Sequence, residues 1–391
     1  MSDSAPPSAE ALGLGQSSSL DWSQRVDASN WTLAPYNRWS FQRVQQFTRT
    51  ARVTRSAAPS ALPVKHLDVE ALTFTDSSGE KSSVRDLLQR TWTDGFMVLH
   101  QGSVIAEQYF NGMRADTLHL MMSCSKSMTS ALVGVAVAEG QLELERKLSH
   151  YIPELIGTGF DGAKLQQALD MRVGLDFNED YSDLDADWHT LELATGWRQP
   201  SADYKGPTDA VGYMQTLTGS VGPHGDVFHY QSILTDVVGV CLERATGRSF
   251  LELFEEVIWH PMGAEHDLIS IIDSAGTAVF EGGFNCCLRD FSRFAQLICD
   301  GGVAQGKQLV PTAWIDQCRF ADKELLRAFS ESEYGEVMPD HAYHNKWWIR
   351  DSKRGVIMAL GIHGQTLFID PEQHFVVAKF SSQPMQADLT M

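Results

Sequence analysis

The stretch MMSCSKSMTSALVG, residues 121–134, places hydroxyl and amine groups at the start of an apolar segment. Its apolar residues recur at helical spacing, and Gly140 can end the helix. If Ser123 begins this helix, Lys126 lies about one turn further on the same face, with its amine within reach of the serine hydroxyl. The segment therefore predicts a helix that carries a candidate nucleophile and a candidate base.

The chemistry of such a pair depends on its surroundings. A serine hydroxyl is a weak nucleophile unless a base takes its proton, and a lysine acts as that base only when its pKa is lowered. The helix start adds backbone N–H groups for a developing oxyanion. Spacing alone also allows Ser123 or Ser125 to be a helix cap, with Lys126 in water. Ser78 and Lys81 have the same spacing, and we interpret them as an exposed turn.

A tyrosine precedes a second predicted helix. In FHYQSILTDVVGVCLERATG, residues 228–247, Tyr230 and Ser232 form a Tyr-x-Ser pattern just before an apolar helical face. A tyrosine can pass a proton between a nucleophile and a leaving group. The pattern is short, since Tyr109 and Tyr343 stand in Tyr-x-Asn patterns, and Tyr230 could equally be an aromatic staple beneath the helix.

The periodicity of both ends of the chain predicts strands. Residues 96–110 form two strands around the turn HQGS, and residues 356–382 form a hairpin or more with its turn at DPEQ. Residues 291–302 predict a helix with a glycine stop. The middle, 141–275, is mostly helical with long polar loops. The expected fold is α/β of the α+β type, an antiparallel sheet built from both chain ends and flanked by helices, with a largely helical inserted region.

These elements predict one domain that follows an N-terminal arm. Residues 1–30 are rich in Ser, Pro, Ala and Gly and are expected to form a loosely ordered arm. The domain then covers residues 31–391. Its sheet region takes about 31–120 and 276–391, and its helical region takes about 121–275.

Composition narrows the function and the compartment. The 391 residues carry a formal net charge of -19, which argues against nucleic acid and anionic membranes as partners. The N-terminus lacks the features of a secretory signal, and no stretch is long and apolar enough for a membrane span. Six cysteines show no CxxC spacing, and there is no HExxH motif; HAYH at 341–344 is an isolated pair. We expect a cytoplasmic protein with buried free thiols, no cofactor and no metal.

Taken in order, several stretches resemble the penicillin-recognising serine hydrolases. Within them the chain is most similar to the 6-aminohexanoate-dimer (nylon-oligomer) hydrolases, a branch of the class C β-lactamase-like group. The resemblance covers roughly residues 35–382. It rests on MSCSKS, YIPEL, LDMRVGLDFNEDY, GWR, FHYQS, EGGFNC, WW at 347 and 348, and GIHGQTLFIDP.

The resemblance implies roles for individual residues. Ser123 would be the acylated nucleophile, Lys126 its base partner and Tyr230 the proton shuttle. The strand ALGIHG would stand where β-lactamases carry Lys-Thr-Gly, so the backbone N–H groups of Ser123 and Ile362 would form the oxyanion hole. An alternative register puts the His363 side chain in the polar position of that motif. A third interpretation makes His363 a structural histidine.

The resemblance also implies a substrate pocket. Glu192 aligns with the acidic residue that binds a free amine, and Tyr181 and Trp348 fall on pocket positions. Glu281 stands where active nylon-oligomer enzymes carry a neutral side chain, which puts dimer hydrolysis in question. Either glutamate could instead be solvated. If they face the substrate, a free amino group on the substrate is favoured. A homodimer is also suggested.

The leading hypothesis is a serine hydrolase that cleaves small carboxylic esters or amides through an acyl-enzyme on Ser123, with ω-amino-acid oligomers among the candidate substrates. The alternatives on the same fold are a β-lactamase, a D-amino-acid amidase or a peptidase. A protein that becomes acylated without turning over is a further alternative.

Overall fold

The computed structural model of the protein describes residues 5–76, 79–183 and 185–386. Ser78, the first member of the second Ser-x-x-Lys pair, lies outside the described residues. Among the described residues, no helix combines the length and the apolar character that crossing a lipid bilayer requires.

The strands of the described residues form one large sheet and three smaller ones. In chain order they are β1 (Thr50–Val53), β2 (Thr73–Thr75), β3 (Lys81–Ser83), β4 (Thr93–His100), β5 (Ser103–Tyr109), β6 (His119–Leu120), β7 (Leu268–Ile271), β8 (Phe284–Cys286), β9 (Val303–Ala304), β10 (Lys307–Gln308), β11 (Ala342–His344), β12 (Trp347–Asp351), β13 (Val356–Gly361), β14 (Gln365–Asp370) and β15 (Phe375–Ser381).

The large sheet is antiparallel and has seven strands in the order β11-β12-β13-β14-β15-β4-β5. The last strand of the chain, β15, pairs with β4 near its beginning, with Val377 opposite Val98. This confirms a sheet built from both chain ends. The two predicted hairpins are also present, with turns at Gln101–Gly102 and at residues 371–374.

A second sheet, in the order β1-β7-β8-β6, positions the segment that carries Ser123. His119 on β6 pairs with Cys286 on β8, so the chain before Ser123 lies beside the chain after Glu281. The other two sheets are the hairpins β2-β3 and β10-β9.

Helices cover the large sheet and fill the middle of the chain, as the sequence predicts. They are α1 (Asn37–Ser40), α2 (Val84–Arg90), α3 (Cys124–Ala138), α4 (Leu148–Tyr151), α5 (Leu165–Leu169), α6 (Asp187–Thr195), α7 (Ala210–Met214), α8 (Ile233–Thr246), α9 (Phe250–Phe254), α10 (Leu288–Cys299), α11 (Thr312–Arg319), α12 (Lys323–Ser330) and α13 (Tyr334–Val337). Short 3-10 turns occupy Trp22–Gln24, Val44–Gln46, Pro153–Leu155 and Ile362–Gly364, and a π-helical turn occupies Glu255–Trp259.

Helix α3 lies at the centre of the core. Every residue from Cys124 to Ala136 is buried, because the helix packs against β13 and β14 on one side and α8 on the other. Its chain leaves the helix through Gly140, whose φ of 72° is the left-handed conformation that glycine adopts without strain. The first half of the helix therefore buries polar side chains, among them Lys126, and such groups need hydrogen-bond partners inside the protein.

The described part of the N-terminal segment, residues 5–30, packs onto the domain. Ala9, Leu14 and Val26 are buried in a cluster with Trp31. The backbone N–H of Ala9 donates to Asn111 at 2.7 Å. These contacts give the segment more order than its Ser/Pro-rich composition suggests.

All six cysteines are buried and free, whereas the sequence predicted buried thiols for several of them.

Candidate active site

The start of α3 brings Ser123 and Lys126 together. Met122 has a left-handed φ of 49°, and Ser123 takes the N-cap position that follows this bend. Lys126 points back along the helix, with its Nζ atom 2.8 Å from the Oγ atom of Ser123. The lysine is only 1% exposed. Burial lowers its pKa, whereas the nearby carboxylates of Glu281, Glu179 and Asp236 raise it.

Ser125 has a different environment. Its hydroxyl donates to the carbonyl of Met122 at 2.8 Å and accepts from the backbone N–H of Phe284 at 3.2 Å. The side chain is fully buried. Ser125 therefore ties the start of α3 to β8, while Ser123 is the serine that reaches a cavity.

Tyr230 completes the cluster. Its hydroxyl hydrogen-bonds to Ser123, and the Nζ atom of Lys126 lies 5.2 Å from the centre of its ring. The ring stacks on Trp348 at 5.6 Å. Burial raises the pKa of Tyr230 well above its usual value, so the phenol keeps its proton at neutral pH.

The two competing tyrosines lie elsewhere. Tyr109 donates its hydroxyl to Glu107 at 2.6 Å, and Tyr343 packs edge-on against Tyr230 at 6.1 Å as part of the aromatic core. Neither lines the cavity at Ser123 among the described residues.

Ser123 opens into a cavity of about 420 Å³. Its walls are largely apolar and aromatic, with several polar side chains. The lining residues are Leu87, Thr91, Ser123, Tyr181, Tyr230, Tyr334, Met338, Trp348, Met358, Leu360, Gly361, Ile362, Gly364, Gln365, Thr366, Lys379, Gln383 and Gln386. The structure therefore places Tyr181 and Trp348 in the pocket, where they were expected.

The end of β13 closes the cavity beside Ser123. Gly361 lies so close to the turn before Ser123 that a Cβ atom there would be 2.8 Å from the carbonyl oxygen of Met121. Ile362 follows directly and lines the cavity. Among the described residues, no acceptor pairs with the backbone N–H of Ser123. The two backbone segments expected to form the oxyanion hole are thus adjacent.

His363 points away from the cavity. The residue is 2% exposed, its Nδ1–H donates to the carbonyl of Gln383 at 2.7 Å, and its ring packs edge-on against Phe41. Burial lowers its pKa to about 4, so the ring is neutral. This corrects the expectation that His363 contacts substrate and favours its interpretation as a structural histidine.

Glu192 is also absent from the cavity wall. It is 6% exposed, and its Oε2 atom lies 2.9 Å from Nε of Arg198 and 3.1 Å from Nδ1 of His189. A carboxylate already paired with a guanidinium has little to offer a substrate amine. The expected amine-binding role of Glu192 is therefore corrected: the residue belongs to a separate ion-pair cluster on α6.

Glu281 lies behind the lysine rather than in the pocket. It is 1% exposed, and its Oε1 atom accepts from the indole N–H of Trp197 at 2.8 Å. Its Oε2 atom is 3.8 Å from Nζ of Lys126, and its carbonyl oxygen accepts a hydrogen bond from that amine at 2.6 Å. Burial raises the pKa of Glu281 to about 7. The expected contact with substrate is corrected to a contact with Lys126.

Two further carboxylates belong to the site and were missed from the sequence. Glu179 accepts from the Ser232 hydroxyl at 2.6 Å and from the Tyr181 hydroxyl at 2.8 Å, so the serine of Tyr-x-Ser positions a carboxylate. Asp236 on α8 accepts from the backbone N–H of Phe280 at 3.0 Å. The sequence contained a sign of this role, since Asp236 interrupts the apolar helical stretch ILTDVVGV. Aspartate is seldom fully buried unless it is paired, so its position on an apolar face predicts a buried carboxylate with partners.

One group of potential metal ligands lies outside this cavity. Among the described residues, Cys299, Asp300 and His374 form one group whose ligand atoms lie within 4.8 Å of one another. None of the three lines the cavity at Ser123.

Known proteins resemble this chain over most of its length. A family profile described as Beta-lactamase matches residues 83–388. The chain is 34% identical to a 6-aminohexanoate-dimer hydrolase of Paenarthrobacter ureafaciens over 357 residues, 91% of this chain and 88% of that protein.

Solved structures of other proteins share the fold of this chain. A candidate 6-aminohexanoate-dimer hydrolase from Bacillus anthracis superposes with a TM-score of 0.82 at 29% identity, over 93% of each chain. A D-stereospecific amidohydrolase from Streptomyces sp. superposes with a TM-score of 0.54 at 14% identity, over 76% of this chain and 92% of that one. The second likeness shows the fold alone.

Proposed function

Because the chain belongs to the beta-lactamase family, we propose that it is a serine hydrolase that cleaves small carboxylic esters or amides through an acyl-enzyme on Ser123. One observation carries this proposal. The Nζ atom of a buried lysine, Lys126, lies 2.8 Å from the Ser123 hydroxyl oxygen, and that hydroxyl also bonds to Tyr230 at the wall of a cavity.

Acylation begins with the neutral form of Lys126. Burial favours the uncharged amine, which accepts the Ser123 proton as Oγ attacks the substrate carbonyl carbon. The negative charge that develops on the carbonyl oxygen faces the backbone N–H groups of Ser123 and Ile362. Preorganised donors of this kind stabilise the transition state more than the ground state.

Tyr230 then protonates the leaving group. Its hydroxyl, which stays protonated at neutral pH, gives a proton to the departing alkoxide or amine, and the proton held by Lys126 replaces it. The C–O or C–N bond breaks and the acyl group stays on Ser123. In the second half, a water molecule attacks the acyl-enzyme, its proton passes to the Tyr230–Lys126 pair, and Ser123 leaves with a proton.

The shape of the cavity supports small, partly apolar substrates. Trp348, Tyr181 and Met358 contribute apolar and aromatic surface to its walls. The relative from Paenarthrobacter ureafaciens acts, by its name, on the 6-aminohexanoate dimer, and this linear amide is one compound we propose to test. Among the described residues no carboxylate lines the cavity, so we expect no preference for substrates with a free amino group.

The test is a substrate screen with two single variants and their double variant. Purified protein is assayed on p-nitrophenyl esters, nitrocefin and the 6-aminohexanoate dimer. We expect ester hydrolysis that falls on the order of 10³-fold or more in Ser123→Ala and nearly as far in Lys126→Ala, with no further loss in the double variant. Wild-type rates in Ser123→Ala would overturn the proposal. Release of a single equivalent of nitrophenol without turnover would favour the acyl-trapping alternative.

We further propose a reducing, cytoplasmic setting and a homodimer. Six buried free thiols suit a reducing compartment. Sedimentation velocity of the purified protein measures its oligomeric state.

A further inference from the structure

One charged side chain lines the cavity among the described residues, and it is a cation. Lys379 lies on β15 opposite Thr366 on β14, which in turn lies opposite Leu360 on β13. These three residues form one row across the sheet, and all three line the cavity. Directly paired residues of an antiparallel sheet point to the same face, so the ammonium group lies on the cavity side.

Within residues 5–76, 79–183 and 185–386, Lys379 has no acidic partner. Its Nζ atom donates to the hydroxyl of Ser381 at 2.6 Å, and among the described residues it forms no ion pair. Asp94 acts on it from a distance, but that carboxylate is already held by Arg38 at 2.8 Å and by Ser382 at 2.6 Å. The Lys379 side chain is half-buried, and a partly desolvated charge without a counter-ion is unfavourable, so an anion supplied by a ligand would be stabilised there.

A neutral hydrogen-bond donor stands on the same wall. Gln383 also lines the cavity, and among the described residues its side-chain amide makes no hydrogen bond. Ammonium and amide donors together suit the two oxygens of a carboxylate. A substrate ammonium group would be repelled by Lys379.

We propose that Lys379 and Gln383 form a subsite for a free carboxylate at the far end of the substrate. The inference rests on the proposed serine hydrolase function and specifies its substrate class, namely linear esters or amides that end in a carboxylate. Two strand spacings separate Lys379 from Leu360, about 10 Å. The carboxylate is therefore several bonds from the carbonyl that Ser123 attacks.

The test compares matched substrates with and without the carboxylate. Mono-p-nitrophenyl adipate against p-nitrophenyl hexanoate places the charge on the acyl side. N-butyryl-6-aminohexanoate against N-hexylbutyramide places it on the leaving group. In the wild type we expect kcat/KM to favour the carboxylate by about tenfold or more in at least one pair, and the pair that responds identifies the side.

Three variants connect the preference to Lys379. Lys379→Met should abolish it, and Lys379→Arg should retain part of it. Thr366→Asp keeps Lys379 but places a carboxylate directly opposite it on β14, so this variant should also lose the preference. It replaces Lys379→Met in the test if that variant does not fold. Lys307→Met, at an exposed lysine on β10, is the matched control and should keep the wild-type ratio.

The outcomes separate this inference from the proposed function. If Ser123→Ala loses both members of each pair while Lys379→Met and Thr366→Asp keep the wild-type ratio, the carboxylate subsite is wrong and the hydrolase stands. If wild type shows no preference in either pair, the subsite is also wrong. If Ser123→Ala still hydrolyses these compounds, the proposed function itself fails.

Discussion

The Nζ atom of Lys126 lies 3.8 Å from the Oε2 atom of Glu281, although the two residues are 155 positions apart. The pairing of β6 with β8 brings their segments together. Both side chains are almost fully buried. The charge state of the proposed base therefore depends on a carboxylate that does not touch the cavity.

Glu281→Gln should shift the pH dependence of the reaction. The base must be uncharged, so kcat/KM rises as the pH passes through the pKa of Lys126. Glu281 raises that pKa together with Glu179 and Asp236, whereas burial and the nearby Lys346 favour the neutral amine. Removing the Glu281 charge lowers the pKa, so the acidic limb should move to lower pH by about one unit or more, as expected for charges 3.8 Å apart.

Glutamine keeps the acceptor for Trp197, which limits structural change in this variant. Glu192→Gln is the control, because it neutralises another buried glutamate whose partner is Arg198. In Glu192→Gln, the acidic limb of the kcat/KM profile should stay within a few tenths of a pH unit of its wild-type position. A Glu281→Gln profile that coincides with wild type, or that moves to higher pH, would show that Glu281 does not act on the base.

Ser125→Ala should affect stability more than catalysis. The Ser125 hydroxyl satisfies two buried backbone groups, those of Met122 and Phe284. Its loss leaves the backbone N–H of Phe284 unpaired, whereas the Met122 carbonyl keeps the backbone N–H of Ser125 as a donor. We expect a cost of about 1–3 kcal/mol in the free energy of unfolding. Urea denaturation measures this loss, and the folded variant should keep ester hydrolysis within about tenfold of wild type. Complete inactivity of a well-folded Ser125→Ala would reassign the nucleophile.

Tyr230→Phe should reduce amide cleavage more than the cleavage of activated esters. An amine leaving group needs a proton in the transition state, whereas a nitrophenolate does not. The stack on Trp348 is retained in this variant, so the loss reports on the hydroxyl. Paired kcat/KM values for an amide and its p-nitrophenyl ester give the comparison. Equal losses would argue against a role in proton transfer.

Gly361→Ala should disturb the oxyanion side of the cavity. The added methyl group would meet the Met121 carbonyl at 2.8 Å, so the end of β13 has to move away from Ser123. A shift of this size should lower kcat by about tenfold or more. Gly222→Ala is the control, because a methyl group at Gly222 meets open space. If both variants keep wild-type kcat, the approach of Gly361 has no bearing on catalysis.

The features that the sequence predicted well are local. Helical spacing placed Ser123 and Lys126 on one turn, and period-two alternation found the strands on either side of the turns at residues 101–102 and 371–374. These patterns follow from backbone geometry alone.

The partners of buried charges are set by tertiary packing and could not be predicted in this way. Glu192 and Glu281 were expected in the pocket, but one pairs with Arg198 and the other with Lys126. Glu179 lies in the stretch DFNEDYSDLDADWHT, which has the composition of a solvated loop, yet its carboxylate is held by Ser232. Lys379 occupies an alternating strand position that is usually solvent-facing.

The central claim is that Ser123 carries the acyl group. The most direct measurement is acid-quenched intact-mass analysis during turnover of a p-nitrophenyl ester, followed by peptide mapping, in wild type and in Ser123→Ala. We expect a transient mass gain of one acyl group on the peptide that contains Ser123, and none in the variant. An acyl group on another side chain, or continued turnover by Ser123→Ala, would contradict it.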